Sequence, residues 1–228
     1  MVDALCLAAT SKTREFDSQG IANTLYALSI FAHYDDNVWS PLFEAFSNIL
    51  HLDSNALSIE DHSQIHLVLL TLSLENPDLL SKLRYPSTLK ELCSTSHVAQ
   101  FSLSVKSSIF HLSVSQLLTE MSISHENEFV ASGFLSVDIF IKSDISQQQQ
   151  DGGRNEVIIE VDGPTHYLRG SVGSEMVGKR TSKLCGEHLL KDRLLEKQGY
   201  NVLHIPYYEW NALNSAVTKR DYLKRLMT

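Results

Sequence analysis

Val157-Ile158-Ile159-Glu160-Val161-Asp162-Gly163-Pro164-Thr165-His166 is the stretch on which the reading of this chain turns. Its β-branched opening predicts a buried strand. Glu160 and Asp162 stand two positions apart, so a strand carries both carboxylates on one face. Gly163-Pro164 predicts a turn, and His166 follows it. Acid, acid, turn and histidine at a strand end suit a metal-dependent hydrolytic centre, in which Asp138, Glu160, Asp162 and His166 surround Mg²⁺. They suit equally a scaffold in which Asp162 caps the turn and Glu160 or Asp138 anchors a cation from a neighbouring helix.

Working outward, Phe134 to Lys142 alternates Leu135, Val137, Ile139 and Ile141 on one face and carries Asp138 on the other. Asn127 to Ala131 predicts a strand before it, and the polar run Asp144 to Asn155 a hairpin tip. A helix is expected over Val105 to Met121, with Ile109, Leu112, Leu117 and Leu118 facing inward. Residues 170 to 178 read as a loop, and Thr181 to Gln198 as a helix with Leu184, His188 or Leu189, and Leu195 inward. Gly199 follows as the residue just past that helix. Tyr200 to Ile205 predicts a last strand, closed by Pro206, and Tyr207 to Trp210 leads into a short final helix. Three strands in a meander, a crossover helix and one more strand make a small mixed sheet flanked by helices.

Upstream the chain is helical. Ser18 to Tyr34 places Ile21, Leu25, Leu28 and Phe31 or Ala32 on one stripe, with Ser18 as N-cap. Val38 to Leu52 turns Leu42, Phe46, Ile49 and Leu50 inward, with Pro41 in its first turn. Ile59 to Glu75 is a third helix, and Asp78 to Leu83 starts a fourth after Asn76-Pro77. Shifted by 44 positions, the segment from Ile21 to Ile30 lies over that from Ile65 to Leu74, as in helix-pair repeats of the α-solenoid kind. The organisation expected is a helical repeat region over 1–92 and a second domain over 97–228, an α+β chain.

Composition excludes several classes. The longest apolar runs are too short and broken for a membrane helix. The opening MVDALCLAAT lacks a basic n-region and reads as the end of a helix, so a longer parent protein is expected. Cys6, Cys93 and Cys185 form no C-x-x-C pair, which argues against structural zinc and a disulfide framework. His62 and His66 are spaced i, i+4 but lack the glutamate of a zinc protease. No Walker loop, dinucleotide fingerprint or G-x-S-x-G elbow is present. The formal net charge is −8, yet ten of the 19 Lys and Arg fall between Lys179 and Arg225. That window also holds Tyr200, Tyr207, Tyr208 and Trp210. Cations interleaved with aromatics suit single-stranded nucleic acid, although Trp210 is expected to close the core.

Three blocks occur in order: IEVDGPTHY (159–167), LLKDRLLEKQGY (189–200) and NVLHIPYYEW (201–210). Together they resemble the RAP domain, an RNA-binding family, over a core of about 156–215. The VDIFI containing Asp138 is similar to the preceding strand in family members, and the helices upstream to octotricopeptide-like repeats. The resemblance implies a restriction-endonuclease-like fold, and a mitochondrial or, alternatively, plastid protein acting in organellar RNA metabolism. Ribosomal or other ribonucleoprotein subunits are the implied partners, with organellar rRNA the implied RNA and no membrane. Lys179, Arg180, Lys183, Lys191, Arg193 and Lys197 would neutralise phosphates, and Tyr167 and Tyr207 would meet bases. In the related nucleases a lysine follows the second acid after one residue, and Asp162 stands there instead. A non-catalytic, cofactor-free binder is therefore expected. The alternative is a Mg²⁺-dependent endoribonuclease in which Asp138 and Glu160 hold the metal and His166 is acid or base.

Overall fold

The computed structural model describes residues 2–53, 56–84, 108–131, 135–142, 156–169 and 180–228, with only the backbone at 169 and 180–182. Lys179, the hairpin tip over Asp144 to Asn155, the loop over 170–178 and the expected helix start at Val105 lie outside the described residues. The chain divides into two compact units, Met1–Leu103 and Ser104–Thr228.

The first unit is helical: α1 Val2–Ser11, α2 Ser18–Ile30, α3 Asp36–Leu52, α4 Ile59–Glu75 and α5 Pro77–Lys82. Side chains cap the helix starts where bare N–H groups need partners. Asp17, not Ser18, accepts from the Gly20 N–H, and Asp35 accepts from the Asn37 N–H. Ser58 and Asp61 form a reciprocal capping box at the start of α4. Ser58→Ala is expected to cost about 1 kcal/mol, read as a small drop in the urea midpoint.

Ile21, Leu25, Trp39, Leu42, Phe43, Phe46, Ile65, Val68 and Leu72 are fully buried in one core. Phe31 or Ala32 is expected on the buried stripe, and both are exposed, Phe31 at 63%. The reason is that α2 stops at Ile30 and Ala32 turns left-handed at φ 50°, with the His33 N–H closing on the Leu28 carbonyl at 3.0 Å. Pro41 lies inside α3, not in its first turn, because Asp35 moves the start back to Asp36. Under the 44-residue shift Ile21 matches Ile65 and Leu28 matches Leu72, all four buried, whereas buried Ser29 falls on exposed Ser73.

The second unit starts with α6 Ile109–Glu120. The strands β1 Glu126–Ala131, β2 Leu135–Ile141, β3 Val157–Asp162 and β6 Asn201–Pro206 form one sheet in the order β1-β2-β3-β6. The first three run antiparallel, and β6 pairs parallel to β3, in register from Val157↔Asn201 to Asp162↔Pro206. A parallel neighbour needs a crossover, which α7 Gly186–Lys197 supplies. One sheet face, with Ile139, Ile159, Val161 and Ile205, packs with Val114 and Leu118 of α6 and with Trp210 and Leu223. Trp210 stands in α8 Tyr207–Ala212 and Leu223 in α9 Ala216–Leu226. Trp210 thus closes the core, as expected. The other face carries Ile158, Glu160 and Asp162, by the alternation of β3. Gly199, at φ 91°, ends α7 in the left-handed turn its sequence predicted.

Two expectations fail here for definable reasons. Residues 180–184 form a strand, β5, that pairs with β4 Tyr167–Arg169, so α7 begins at Gly186 rather than Thr181. Cys185 ends the hairpin by donating its N–H to the His166 carbonyl at 2.8 Å. Within α7 the buried residues are Leu190, Leu194 and Leu195, and Leu189 is half exposed. In α6, Ile109 and Leu112 are 89% and 54% exposed. Its buried face runs through His111, Val114, Ser115, Leu117 and Leu118, two of them polar and hydrogen-bonded and the two leucines as expected.

Candidate functional site

The two carboxylates of β3 share a face, as their spacing predicts, but neither is bare. Glu160 is 3% exposed. Lys191 of α7 sits 2.7 Å from both of its oxygens. Burial pushes the Glu160 carboxyl above its usual range; Lys191 opposes this, and the charge of Asp138 adds to it.

Asp162 is the hub of a second group. His166 Nδ1 lies 3.1 Å from one of its oxygens, His204 Nδ1 lies 2.8 Å from the other, and the Tyr167 hydroxyl donates to that same oxygen at 3.2 Å. The other ring nitrogen of His204 meets Asp192 of α7 at 3.3 Å. Burial alone would raise the Asp162 carboxyl, but the hydrogen bonds from His166 and His204 outweigh it and bring it down to about 2. Burial likewise disfavours a charged His204, yet its bonds to Asp162 and Asp192 lift it to about 10. The sheet therefore holds an imidazolium between two carboxylates at neutral pH.

The rim is aromatic. His166 stacks on His188 at a centroid distance of 4.2 Å. Burial, and then the charge of His166, lowers the proton affinity of His188. Tyr167 meets the rings of Tyr207 and Tyr208 at 6.0 and 5.7 Å. Burial and the charge of Asp162 push the Tyr167 hydroxyl far above the usual phenol range.

Of the four residues expected to surround a metal, Asp162 and His166 touch directly. Glu160 is engaged by Lys191. Asp138 accepts the Val161 N–H at 2.7 Å and turns its other oxygen toward His111. Among the residues expected to meet RNA, Lys183 and Lys197 are exposed and Arg193 is half-buried. Lys191 is spent on Glu160. Tyr167 is 2% exposed, so it supports the rim and presents no ring to a base. Tyr207 is half-buried, and Tyr208, not expected in this role, is 40% exposed beside it. The sequence also left unassigned His204, Asp192 and His188. His204 breaks an apolar strand, the one signal that pointed to it. A groove of about 340 Å³ lined by Ser113, Trp210, Leu213 and Lys219 shares no residue with this site.

Comparison with known proteins agrees with the three sequence blocks. Residues 159–226, from within β3 to the end of α9, match the sequence model of the RAP domain. The chain is 24% identical over 216 residues to a "RAP domain-containing protein, chloroplastic" from Oryza sativa subsp. japonica, an alignment covering 93% of this chain and 30% of that protein. It is 25% identical over 230 residues to "FAST kinase domain-containing protein 3, mitochondrial" from Rattus norvegicus, covering 93% of this chain and 32% of that protein. The chain thus spans about a third of the length of these curated relatives.

Proposed function

We propose that this chain is an RNA-binding, non-catalytic part of an organellar protein that acts on or within the mitochondrial ribosome, a plastid being the alternative location. The observation that carries this reading is the RAP match over 159–226, in a unit whose strand-end carboxylates are already paired. Both relatives carry an organelle in their names, which supports the location. Charge distribution supports the division of labour. The residues up to Leu103 hold five Lys and Arg against twelve Asp and Glu, whereas those from Ser104 hold 14 against 15. The acidic excess belongs to the helical unit, which we read as repeat-like and as the face for protein partners. Among the described residues no helix is long and apolar enough to cross a membrane.

The test is a triple reversal, Lys183→Glu, Arg193→Glu and Lys197→Glu, assayed against a single-stranded organellar rRNA fragment. Affinity is expected to fall at least tenfold, and the slope of log K against log salt to shrink by about 0.7 per lost phosphate contact. Unchanged affinity and slope would remove the RNA assignment.

A second reading, a Mg²⁺-dependent endoribonuclease, draws on one observation. His166 Nδ1 lies 3.1 Å from Asp162, a carboxylate–imidazole pair suited to an acid or base, with Asp138 and Glu160 as the residues that would hold Mg²⁺. Cleavage that needs Mg²⁺ and disappears in Glu160→Gln would establish it.

A further inference from the structure

Asp138 belongs to a different cluster from Glu160 and Asp162. His111 of α6, Glu128 of β1 and Asp138 of β2 bring one ligand atom each to within 4.8 Å of one another. His111 Nδ1 is 3.1 Å from a Glu128 oxygen and 3.9 Å from Asp138 Oδ1. The imidazole is 3% exposed, and the two carboxylates are partly exposed at 23% and 27%.

Groups outside the cluster fix how these ligands face it. Asp138 Oδ2 is held by the Val161 N–H, which leaves Oδ1 turned to the imidazole. His111 Nε2 lies 3.0 Å from Asn127 Oδ1, Asn127 Nδ2 donates to Ser115 Oγ at 2.9 Å, and Ser115 Oγ lies 2.8 Å from His125 Nε2. His125 Nδ1 ends the chain on the Ile123 carbonyl at 2.9 Å. A carbonyl only accepts, so His125 carries its proton on Nδ1, and its Nε2 accepts from Ser115. Ser115 then accepts from the Asn127 amide, and Asn127 Oδ1 accepts from His111 Nε2–H. With Nε2–H given to Asn127, His111 turns Nδ1 toward the two carboxylates. Either a proton on Nδ1 or a metal ion can sit between these groups, and outer bonds of this type are what hold metal-ligating histidines in one tautomer.

We propose that His111, Glu128 and Asp138 bind a first-row divalent metal ion, with zinc preferred. Bonds of about 2.0–2.1 Å in a tetrahedral zinc site set ligand atoms about 3.3 Å apart. The observed 3.1 and 3.9 Å bracket that spacing. Two carboxylates balance the 2+ charge, and the imidazole favours zinc over magnesium or calcium. Three protein ligands leave a fourth position for water.

The test uses the 228-residue chain, stripped with chelator and titrated with zinc chloride by calorimetry. The expected result is one tight equivalent that Glu128→Gln weakens at least tenfold, while His62→Gln, far along the sequence in α4, leaves it unchanged. Cobalt loading is expected to give the intense visible absorption of a four-coordinate ion, lost in the same variant. Should Glu128→Gln fold poorly, Asp138→Asn keeps an acceptor for the Val161 N–H and replaces it. X-ray absorption of the zinc-loaded wild type should show nitrogen and oxygen neighbours only. Equal zinc uptake by wild type and variant, a sulfur neighbour, or a doubly protonated His111 with no tight equivalent would each overturn the proposal.

Discussion

Lys191→Met is expected to lower folding stability by about 3–5 kcal/mol at neutral pH, the range for removing one partner of a buried ion pair. Glu160 sits on a central strand, 3% exposed, with the ammonium 2.7 Å away. Without it, the carboxylate keeps only a like charge, Asp138, among its named electrostatic neighbours besides Asp192. The loss has a ceiling, because Glu160 can take up a proton instead. Burial already pushes its proton affinity upward, so the variant should regain stability as pH falls toward the carboxylate range. Adding Glu160→Gln to Lys191→Met should restore most of the loss at neutral pH, and the double-mutant cycle gives the coupling directly. Urea midpoints of the four proteins measure it. A loss below about 1 kcal/mol would put Lys191 with exposed pairs, and return it to the list of phosphate contacts.

That prediction turns on a residue whose role the sequence concealed. Lys191 belongs to a basic run, and charge patterning alone makes it a ligand for phosphate. Its long stem lets the ammonium reach a buried partner 31 positions away, which no local pattern records. The strands were legible because β2 and β3 alternate or run apolar in the ordinary way. The end of α7 was legible because Gly199 stands at the left-handed position. The ends of α2 and α6 make the same turn at Ala32 and Ser122, with φ of 50° and 60°, and carry no glycine to mark it. Hydrophobic periodicity placed Leu117 and Leu118 of α6 correctly and misplaced its first turns for a chemical reason: His111 and Ser115 go inside on the strength of hydrogen bonds to Asn127 and His125, so Ile109 and Leu112 are left outside.

The site itself was half legible. Asp162 and His166 lie four residues apart across the Gly163-Pro164 turn, and that spacing suffices to bring them together. His204 is 42 positions from Asp162, and only the parallel register of β6, which sets His204 opposite Glu160, brings it within reach. Asp192 and His188 depend in turn on where α7 starts. Moving that start from Thr181 to Gly186 decides which of its residues face the sheet. Tertiary register, rather than composition, therefore converts a pair of acids and a histidine into a charged network.

Asp162→Asn is expected to cost about 3 kcal/mol near pH 6, and to flatten the alkaline dependence of stability that the wild type shows. In the folded chain His204 holds its proton up to about 10, against an ordinary imidazole value of 6.5. Above 6.5 the unfolded chain gives up that proton and the folded chain keeps it, so stability falls as pH rises from 6.5 to 10. On the acid side Asp162 stays ionised down to about 2, against 3.8 for an ordinary aspartate, so its contribution is lost as pH drops from 3.8 through 2. The two statements describe one ion pair, present in full between those limits and not to be added together. An asparagine removes the charge but leaves Asp192 on the far ring nitrogen, so His204 should return part of the way toward its ordinary value. Tyrosines and lysines also titrate near pH 10, and the informative quantity is therefore the difference between wild type and variant. Urea midpoints from pH 5 to 10, with the His204 ring followed by NMR titration, give both readouts. If that difference stays constant between pH 6.5 and 10, His204 carries no extra charge in the fold, and the network around Asp162 is a set of neutral hydrogen bonds.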